Sequence, residues 1–208
     1  MTRFARIALV PAVIGIAACT GSLFQSKTAP PALYMLSEPP ADVPGAEIPV
    51  ELAILRPKLR TGLETDRIAV LYADRRLDYF AGARWSGPLG DVLQDLAVQA
   101  FRSHVHLRNV GADASVFASP YWLEIEVTDF QAEYTAAAAP TVHVHFVARL
   151  GTSGDRHILG QFEANVRRPA AQNRLTAIVD AYAYAAEAAL AEIVTHAGET
   201  LAPIAKAR

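Results

Sequence analysis

Cysteine is almost absent from this sequence of 208 residues, which contains only Cys19. A chain with one cysteine cannot form an internal disulfide, even in an oxidising compartment. The stability of the folded chain must therefore come from the packing of its side chains.

Charge is also sparse, since charged residues make up 19% of the sequence and the formal net charge is -2. Binding to nucleic acid depends on clustered lysine and arginine that neutralise phosphates, so the sequence does not predict a nucleic-acid partner. Hydrophobic residues make up 52%, which is far from the composition of disordered proteins and predicts a folded chain with one sizeable core.

Motifs that mark active sites are missing. The sequence contains no GxSxG or SxxK nucleophile motif, no HExxH metal motif, and neither GxxxxGK[ST] nor GxGxxG for phosphate binding. A triad assembled in space from distant residues is not excluded by sequence separation. We predict a non-enzymatic protein that needs no cofactor.

The histidines raise the question of a metal site. His104 with His106, and His143 with His145, are each two residues apart and would share one side of an extended strand. No carboxylate stands at a ligand-like spacing beside either pair, so we interpret them as polar residues on the solvated face of a sheet and predict no metal site.

The apolar run of residues 7–18 follows Arg3 and Arg6 and is shorter than the roughly 20 residues that a membrane-spanning helix needs. It is typical of a secretory signal peptide, which we assign to residues 1–18. Small residues, Ala17 and Ala18, directly precede Cys19, and this arrangement resembles the lipobox of bacterial lipoproteins. The resemblance implies that Cys19 carries palmitate or a similar acyl chain; the alternative is an ordinary signal peptide with an incidental cysteine.

Residues 19–49 are rich in proline, alanine, serine and glycine, a composition that disfavours regular structure. We predict that they form a flexible, lipid-linked tether. Within it, Tyr34 and Leu36 flank Met35 in a short apolar patch, which is a candidate docking point that could add a strand to the folded body.

Residues 50–208 are predicted to form a single α+β domain. Alternating or short apolar runs predict strands over residues 50–55, 67–72, 105–110, 121–130, 142–150 and 158–166. Apolar residues at spacings of three and four predict two main helices, one from about residue 88 and one over residues 171–196. The expected architecture is a two-layer domain in which a mainly antiparallel sheet packs against these two helices.

One local cluster has an unusual composition. Residues 79–89 combine large aromatic residues, an arginine and a Gly-Pro turn, and we predict a turn that leads into the first helix, with Pro88 at the first helical position. The cluster consists of Tyr79, Phe80, Arg84, Trp85 and Pro88. Either Trp85 caps the core, or the cluster is a recognition edge for a partner.

The same residues carry a family resemblance. The relevant features are the signal peptide with Cys19, the patch at residues 34–36, and the segments at residues 68–70, 77–80, 83–85 and 88–89. In this order they resemble the auxiliary lipoproteins of ABC-type transport systems, a family that includes the lipoprotein partner of the paraquat-inducible, MCE-domain lipid-transport machinery.

This resemblance implies a periplasmic, lipid-anchored component that works with an MCE-domain protein, an ABC permease and an ATPase to move phospholipid or related hydrophobic compounds between membranes. Thr20 after Cys19 favours the outer membrane over the inner one. The chain would dock a partner or, alternatively, hold an acyl chain between helices and sheet; homo-oligomerisation is left open. A second hypothesis is an outer-membrane assembly lipoprotein that docks to a β-barrel, as in lipopolysaccharide transport.

Overall fold

The computed structural model describes residues 29–36, 47–112 and 119–206. Cys19 and the predicted signal peptide lie outside these ranges. The described residues form nine strands and two helices, which confirms the α+β class. The strands are β1 (Ala32–Tyr34), β2 (Ile48–Ile54), β3 (Lys58–Leu59), β4 (Arg67–Tyr72), β5 (Leu77–Trp85), β6 (Leu107–Ala112), β7 (Tyr121–Tyr134), β8 (Thr141–Thr152) and β9 (Ile158–Pro169). The helices are α1 (Leu89–His104) and α2 (Leu175–Lys206).

The central strand of the sheet is β7. Along one side it pairs with β2, β3 and β4 in succession, all parallel, and along the other side it pairs antiparallel with β8 over nearly its whole length. Strand β9 continues the antiparallel meander beyond β8, while β6 flanks β2 and the β5–β1 pair flanks β4. The two longest ladders are antiparallel, as the alternation of apolar residues predicts.

Alternation in β7 separates a buried face from a partly exposed one. Leu123, Ile125 and Val127 are at most 2% exposed, whereas Glu124 and Glu126 lie on the other face and are only partly covered. The helices supply the second layer on the buried side, because their apolar stripes and the inward sheet residues form one core. The other side of the sheet carries no helix in the described part of the chain, and we call it the open face.

Helix α2 is 32 residues long and lies across the sheet and against α1. Its buried side alternates alanines with a few large side chains, so the helix backbone can approach the sheet closely. Tyr182 is the largest of these side chains, is fully buried, and donates a hydrogen bond of 2.6 Å from its hydroxyl to the carbonyl of Ala69 in β4.

Three features differ from the sequence-based expectation. Residues 77–85 form strand β5, not a turn, and Gly82 with a φ of 67° lets this strand depart from regular pairing with β4. Pro88 is the N-cap residue and Leu89 begins α1, so the prediction for Pro88 was wrong by one position. Part of the segment predicted as a tether also belongs to the sheet, since β1 and the first residues of β2 fall inside it.

Candidate functional site

The Tyr34–Leu36 patch and the residue 79–88 cluster lie side by side, because β1 pairs in parallel with β5. Tyr34 is in register with Trp85, and the backbone nitrogen of Ser86 donates to the carbonyl of Tyr34 at 2.8 Å. Leu36 is 6% exposed and joins the core, and Tyr34 packs against it. Met35 lies between them and is 72% exposed. The strand therefore fastens the N-terminal segment to the sheet and leaves one of its faces in solvent.

Trp85 lies in the core and is 1% exposed. Its ring centroid is 5.3 Å from that of Tyr182 and 6.0 Å from that of Phe130, both in edge-on geometry. Its indole nitrogen finds no hydrogen-bond partner among the described residues. Of the two alternatives for Trp85, this position agrees with a residue that caps the core, because a buried indole presents no surface to a partner.

Arg84 and Tyr79 tie β5 to the segment that precedes β4. The Nη1 of Arg84 donates to both carboxylate oxygens of Asp66, at 3.0 and 2.8 Å, and this hydrogen bond holds the pKa of Asp66 below its ordinary value of 3.8. The hydroxyl of Tyr79 donates to the carbonyl of Gly62 at 2.8 Å, and the guanidinium of Arg67 lies 4.1 Å above the Tyr79 ring. These contacts hold the strands together. The side chains of Arg84 and Arg67 nevertheless remain exposed to solvent.

The remaining predicted cluster residues, Phe80 and Pro88, are less buried than Trp85. Phe80 is half-buried and lines a groove of about 310 Å³ between the N-terminal segment and β5, together with Pro31, Arg67 and Arg84. Pro88 is exposed, and its carbonyl accepts hydrogen bonds from the first turn of α1. The cluster thus divides into a buried half around Trp85 and an exposed half around Arg84.

A polar network covers the open face where β7, β8 and β9 meet. His143 is 7% exposed, with Nδ1 2.9 Å from a carboxylate oxygen of Glu133 and Nε2 3.0 Å from the amide oxygen of Asn165. His145 stacks on His143 with ring centroids 6.4 Å apart, and its Nε2 is 2.9 Å from Glu163. His143 and His145 therefore lie on the sheet face that the sequence predicts, but they are tied to neighbouring strands and are mostly covered. The same prediction was wrong for the other pair, because His104 ends α1 and His106 precedes β6.

Hydrogen bonding outweighs burial in setting the acidity of this network. Burial alone would raise the pKa of Glu133, but hydrogen bonds from Arg167, His143 and Gln131 bring it below its ordinary value of 4.5. The pKa of Asp129 is likewise lowered from 3.8, because a hydrogen bond from Gln131 and nearby positive charge outweigh desolvation. Both carboxylates are thus held as anions that link strands.

The network does not have the arrangement of a metal centre. Within residues 29–36, 47–112 and 119–206, no three side chains among His, Cys, Asp and Glu come together in a way that could hold a metal ion. The carboxylates beside His143 and His145 come from neighbouring strands, so no spacing in the sequence could reveal them. These side chains hydrogen-bond to one another, so they link neighbouring strands. Among the described residues they do not converge on a point where a metal ion could bind.

Large exposed apolar side chains lie at opposite edges of the sheet. Leu33 on β1 and Met35 directly after it are 66% and 72% exposed, at one edge. Ile158, 45% exposed, begins β9 at the other edge, and Tyr184, 50% exposed, lies on α2 next to the end of β9, with Arg168 4.1 Å above its ring. Tyr184 lies outside the apolar stripe of α2, and this helical position is the sequence signal that could have identified it.

Strand β9 has a free side. It pairs with β8 alone among the described strands, and its 12 residues make it longer than the other edge strands, β1 and β6. Unpaired backbone groups on such an edge are available to another chain. Neither helix in the described ranges has the length and hydropathy required to cross a bilayer.

Comparison with solved structures shows the same fold elsewhere. The protein XCC0632 from Xanthomonas campestris superimposes with a TM-score of 0.69 at 23% identity, over 85% of this chain and 97% of that one. The protein CT253 from Chlamydia trachomatis gives a TM-score of 0.53 at 10% identity, over 74% and 99% of the respective chains. At these identities the likeness concerns the fold alone. A comparison with curated proteins gives no match.

The sequence comparison is more specific. Residues 34–194 match the family described as the ABC-type transport auxiliary lipoprotein component. The match begins at Tyr34, the last residue of β1, and extends into α2, so it includes β5, the Tyr34–Trp85 pair and the polar network. The chain therefore belongs to the family of ABC-type transport auxiliary lipoproteins, as its resemblance indicates.

Proposed function

We propose that this protein is a non-enzymatic, membrane-tethered periplasmic lipoprotein that serves an MCE-associated ABC transport system for phospholipids or related hydrophobic compounds. The lipid on Cys19 would anchor it, in the outer membrane, and its body would be the domain that follows the tether. Family membership supports the transport role, because this is a family of transport auxiliary components and not of enzymes.

The observation that carries the proposal is the placement of exposed apolar residues at two opposite sheet edges. The strand order from β9 through β8, β7, β4 and β5 to β1 comprises five inter-strand steps, or about 24 Å at 4.8 Å a step. The β1 edge continues toward the tether, so it faces the membrane side. The β9 edge is then free for a protein partner, and the body bridges the two.

The β9 edge suits a protein partner for three reasons. Its strand has an unpaired side that can accept another strand or segment. Ile158 and Tyr184 add apolar area at its two ends, and Arg168 places a cation on the aromatic ring. Aromatic and arginine side chains of this kind are enriched at protein interfaces. We assign the partner as the MCE-domain protein of the same transport system.

Packing argues for docking over lipid storage between the layers. Trp85, Phe130, Phe146 and Tyr182 fill the space between sheet and α2, and each is less than 2% exposed. An acyl chain in that position would have to displace them. Under this proposal the body acts by connecting the membrane to the protein partner. The permease and ATPase activities would belong to other chains.

Photocrosslinking in cells tests this arrangement. A benzophenone amino acid at Tyr184 samples the β9 edge, and the same amino acid at Asp95, exposed on α1, is the matched control. We expect adducts with the MCE-domain protein from position 184 and not from position 95. Adducts with a β-barrel protein instead would support outer-membrane assembly and refute the transport role. Adducts with the MCE-domain protein from position 95 alone would support the transport role but would refute the β9 edge as the docking site.

A further inference from the structure

We propose that the exposed side of the β1 segment, formed by Leu33 in the strand and Met35 directly after it, rests on the phospholipid surface of the membrane that holds the lipid anchor. This inference rests on the proposed function in one respect, the lipidation of Cys19. It assigns a membrane-contact surface to the body itself, in addition to the lipid anchor.

The length of the N-terminal segment supports this contact. Strand β1 fastens the chain to the body, and residues 20–28 lie between Cys19 and the first described residue, Ala29. Ten residue steps reach about 35 Å when fully extended, and a flexible chain of that length averages about 17 Å end to end. Without the β1 pairing, the free segment would reach residue 47, about 100 Å at full extension.

The side chains of residues 33–36 point alternately into the core and into solvent, as contact with a membrane surface requires. Tyr34 and Leu36 face inward and complete the core, so β1 is held by packing as well as by backbone hydrogen bonds. Leu33 and Met35 face outward and are the two most exposed large apolar residues described. In the described part of the chain their apolar surface stays exposed, and a lipid surface within reach would bury it favourably.

Positive charge lies beside this apolar pair. Leu33 is in register with Arg84, and Arg84 is in turn in register with Arg67 on β4. Both arginines line the 310 Å³ groove between the N-terminal segment and β5. Arg84 is paired with Asp66, whereas Arg67 stacks on the ring of Tyr79 and can offer its charge to a phosphate. Apolar side chains flanked by arginine are suited to a surface of phospholipid headgroups and acyl chains.

The test uses the full-length lipidated protein in phospholipid vesicles. Because Cys19 is acylated under the proposal, a cysteine introduced by Met35→Cys is the only free thiol and accepts an environment-sensitive fluorophore. Tyr184→Cys, at the opposite sheet edge, is the matched control. We expect a blue shift of the emission at position 35 and its quenching by lipids with brominated acyl chains, and neither effect at position 184. We also expect Arg67→Gln to reduce the quenching at position 35 when the vesicles contain phosphatidylglycerol.

Flotation with the vesicles separates this inference from the proposed function. A protein that floats but shows no lipid quenching at position 35 refutes the membrane-contact surface and leaves the anchor intact. A protein that does not float refutes the anchor and, with it, the reach argument. A blue shift at position 35 that rises with protein density but is insensitive to brominated lipid would show contact with a second copy of the chain, which also overturns the proposal.

Discussion

Trp85 in β5 and Tyr182 in α2 meet edge to face, with ring centroids 5.3 Å apart and planes at 81°. This contact links the strand that receives the N-terminal segment to the helix that covers the sheet. Tyr182 is also hydrogen-bonded to Ala69 in β4, the neighbour of β5. The junction that fastens the N-terminal segment to the sheet is therefore built directly on the core.

Replacing Trp85 should destabilise the whole fold. Trp85→Ala removes a fully buried indole and should lower the free energy of unfolding by about 3 to 5 kcal/mol, measured by urea denaturation. Trp85→Phe keeps an aromatic ring and removes an indole nitrogen without a partner in the described structure, so its loss should be markedly smaller. An unchanged urea midpoint in Trp85→Ala, accompanied by loss of partner binding, would make Trp85 an interface residue.

The hydroxyl of Tyr182 should matter more than that of its exposed neighbour on α2. Tyr182→Phe leaves the buried carbonyl of Ala69 without this donor and should cost about 1 to 2 kcal/mol of unfolding free energy. Tyr184→Phe is the control, because Tyr184 is 50% exposed and its hydroxyl can be solvated. Equal effects in thermal or urea unfolding would contradict the assigned hydrogen bond.

The pairing of β1 with β5 should depend on Leu36 and not on Met35. Leu36→Asp places a carboxylate at a position that is 6% exposed, so β1 should detach and its backbone amides should lose protection from hydrogen exchange. Met35→Asp introduces the same charge at a position that is 72% exposed and should leave the protection intact. Exchange measured by mass spectrometry on peptides that cover residues 29–36 distinguishes the two variants. Similar protection in both would show that Leu36 does not hold the strand.

The polar network should make stability depend on pH in the acid range. Glu133 has a lowered pKa in the folded protein, so its stabilising contribution is complete above its ordinary value of 4.5. The contribution is then lost as the pH falls through the lowered folded value. Glu133→Gln should therefore be less stable than the wild type near neutral pH, and the gap should close in acid. Urea unfolding across this range, with Glu126→Gln on the same strand as the control, measures the effect; a gap that persists in acid would contradict it.

Lipidation of Cys19 should decide where the protein is found. Cys19→Ala should leave the body folded, because the residue precedes the predicted domain of residues 50–208, but should release the protein from the membrane fraction. The measurement is fractionation together with incorporation of labelled palmitate. Retention of the variant in the membrane without acylation would contradict the lipoprotein assignment.

The fold was largely predictable because its strongest elements have clean periodicity. Apolar and polar residues alternate along strands β7, β8 and β9, and α1 and α2 carry apolar stripes at helical spacing. The sequence of each element therefore indicates which face is buried. Strand β5 was missed because Gly82 and the nearby Gly87 and Pro88 suggest a turn. The glycine in fact marks a bulge inside the strand.

The site was less predictable, since it depends on contacts between distant parts of the chain. The sequence singles out Tyr34 and Leu36 and also Trp85, but only the parallel register of β1 with β5 shows that they are neighbours. The carboxylates around His143 were missed for the same reason, because Glu133 lies on a neighbouring strand and hydrogen-bonds to it across the sheet. Exposure at the β9 edge likewise follows from the strand order and cannot be read from any local pattern.

The central claim is that this lipoprotein works within an MCE-associated ABC transport system. Its most direct test is purification of the tagged full-length protein from membranes after mild crosslinking, with mass spectrometry of the proteins that accompany it and Cys19→Ala as the control. The account predicts that an MCE-domain protein, its permease and its ATPase are recovered with the wild type and are depleted with the variant. Recovery of a β-barrel protein without any of these three would contradict the account.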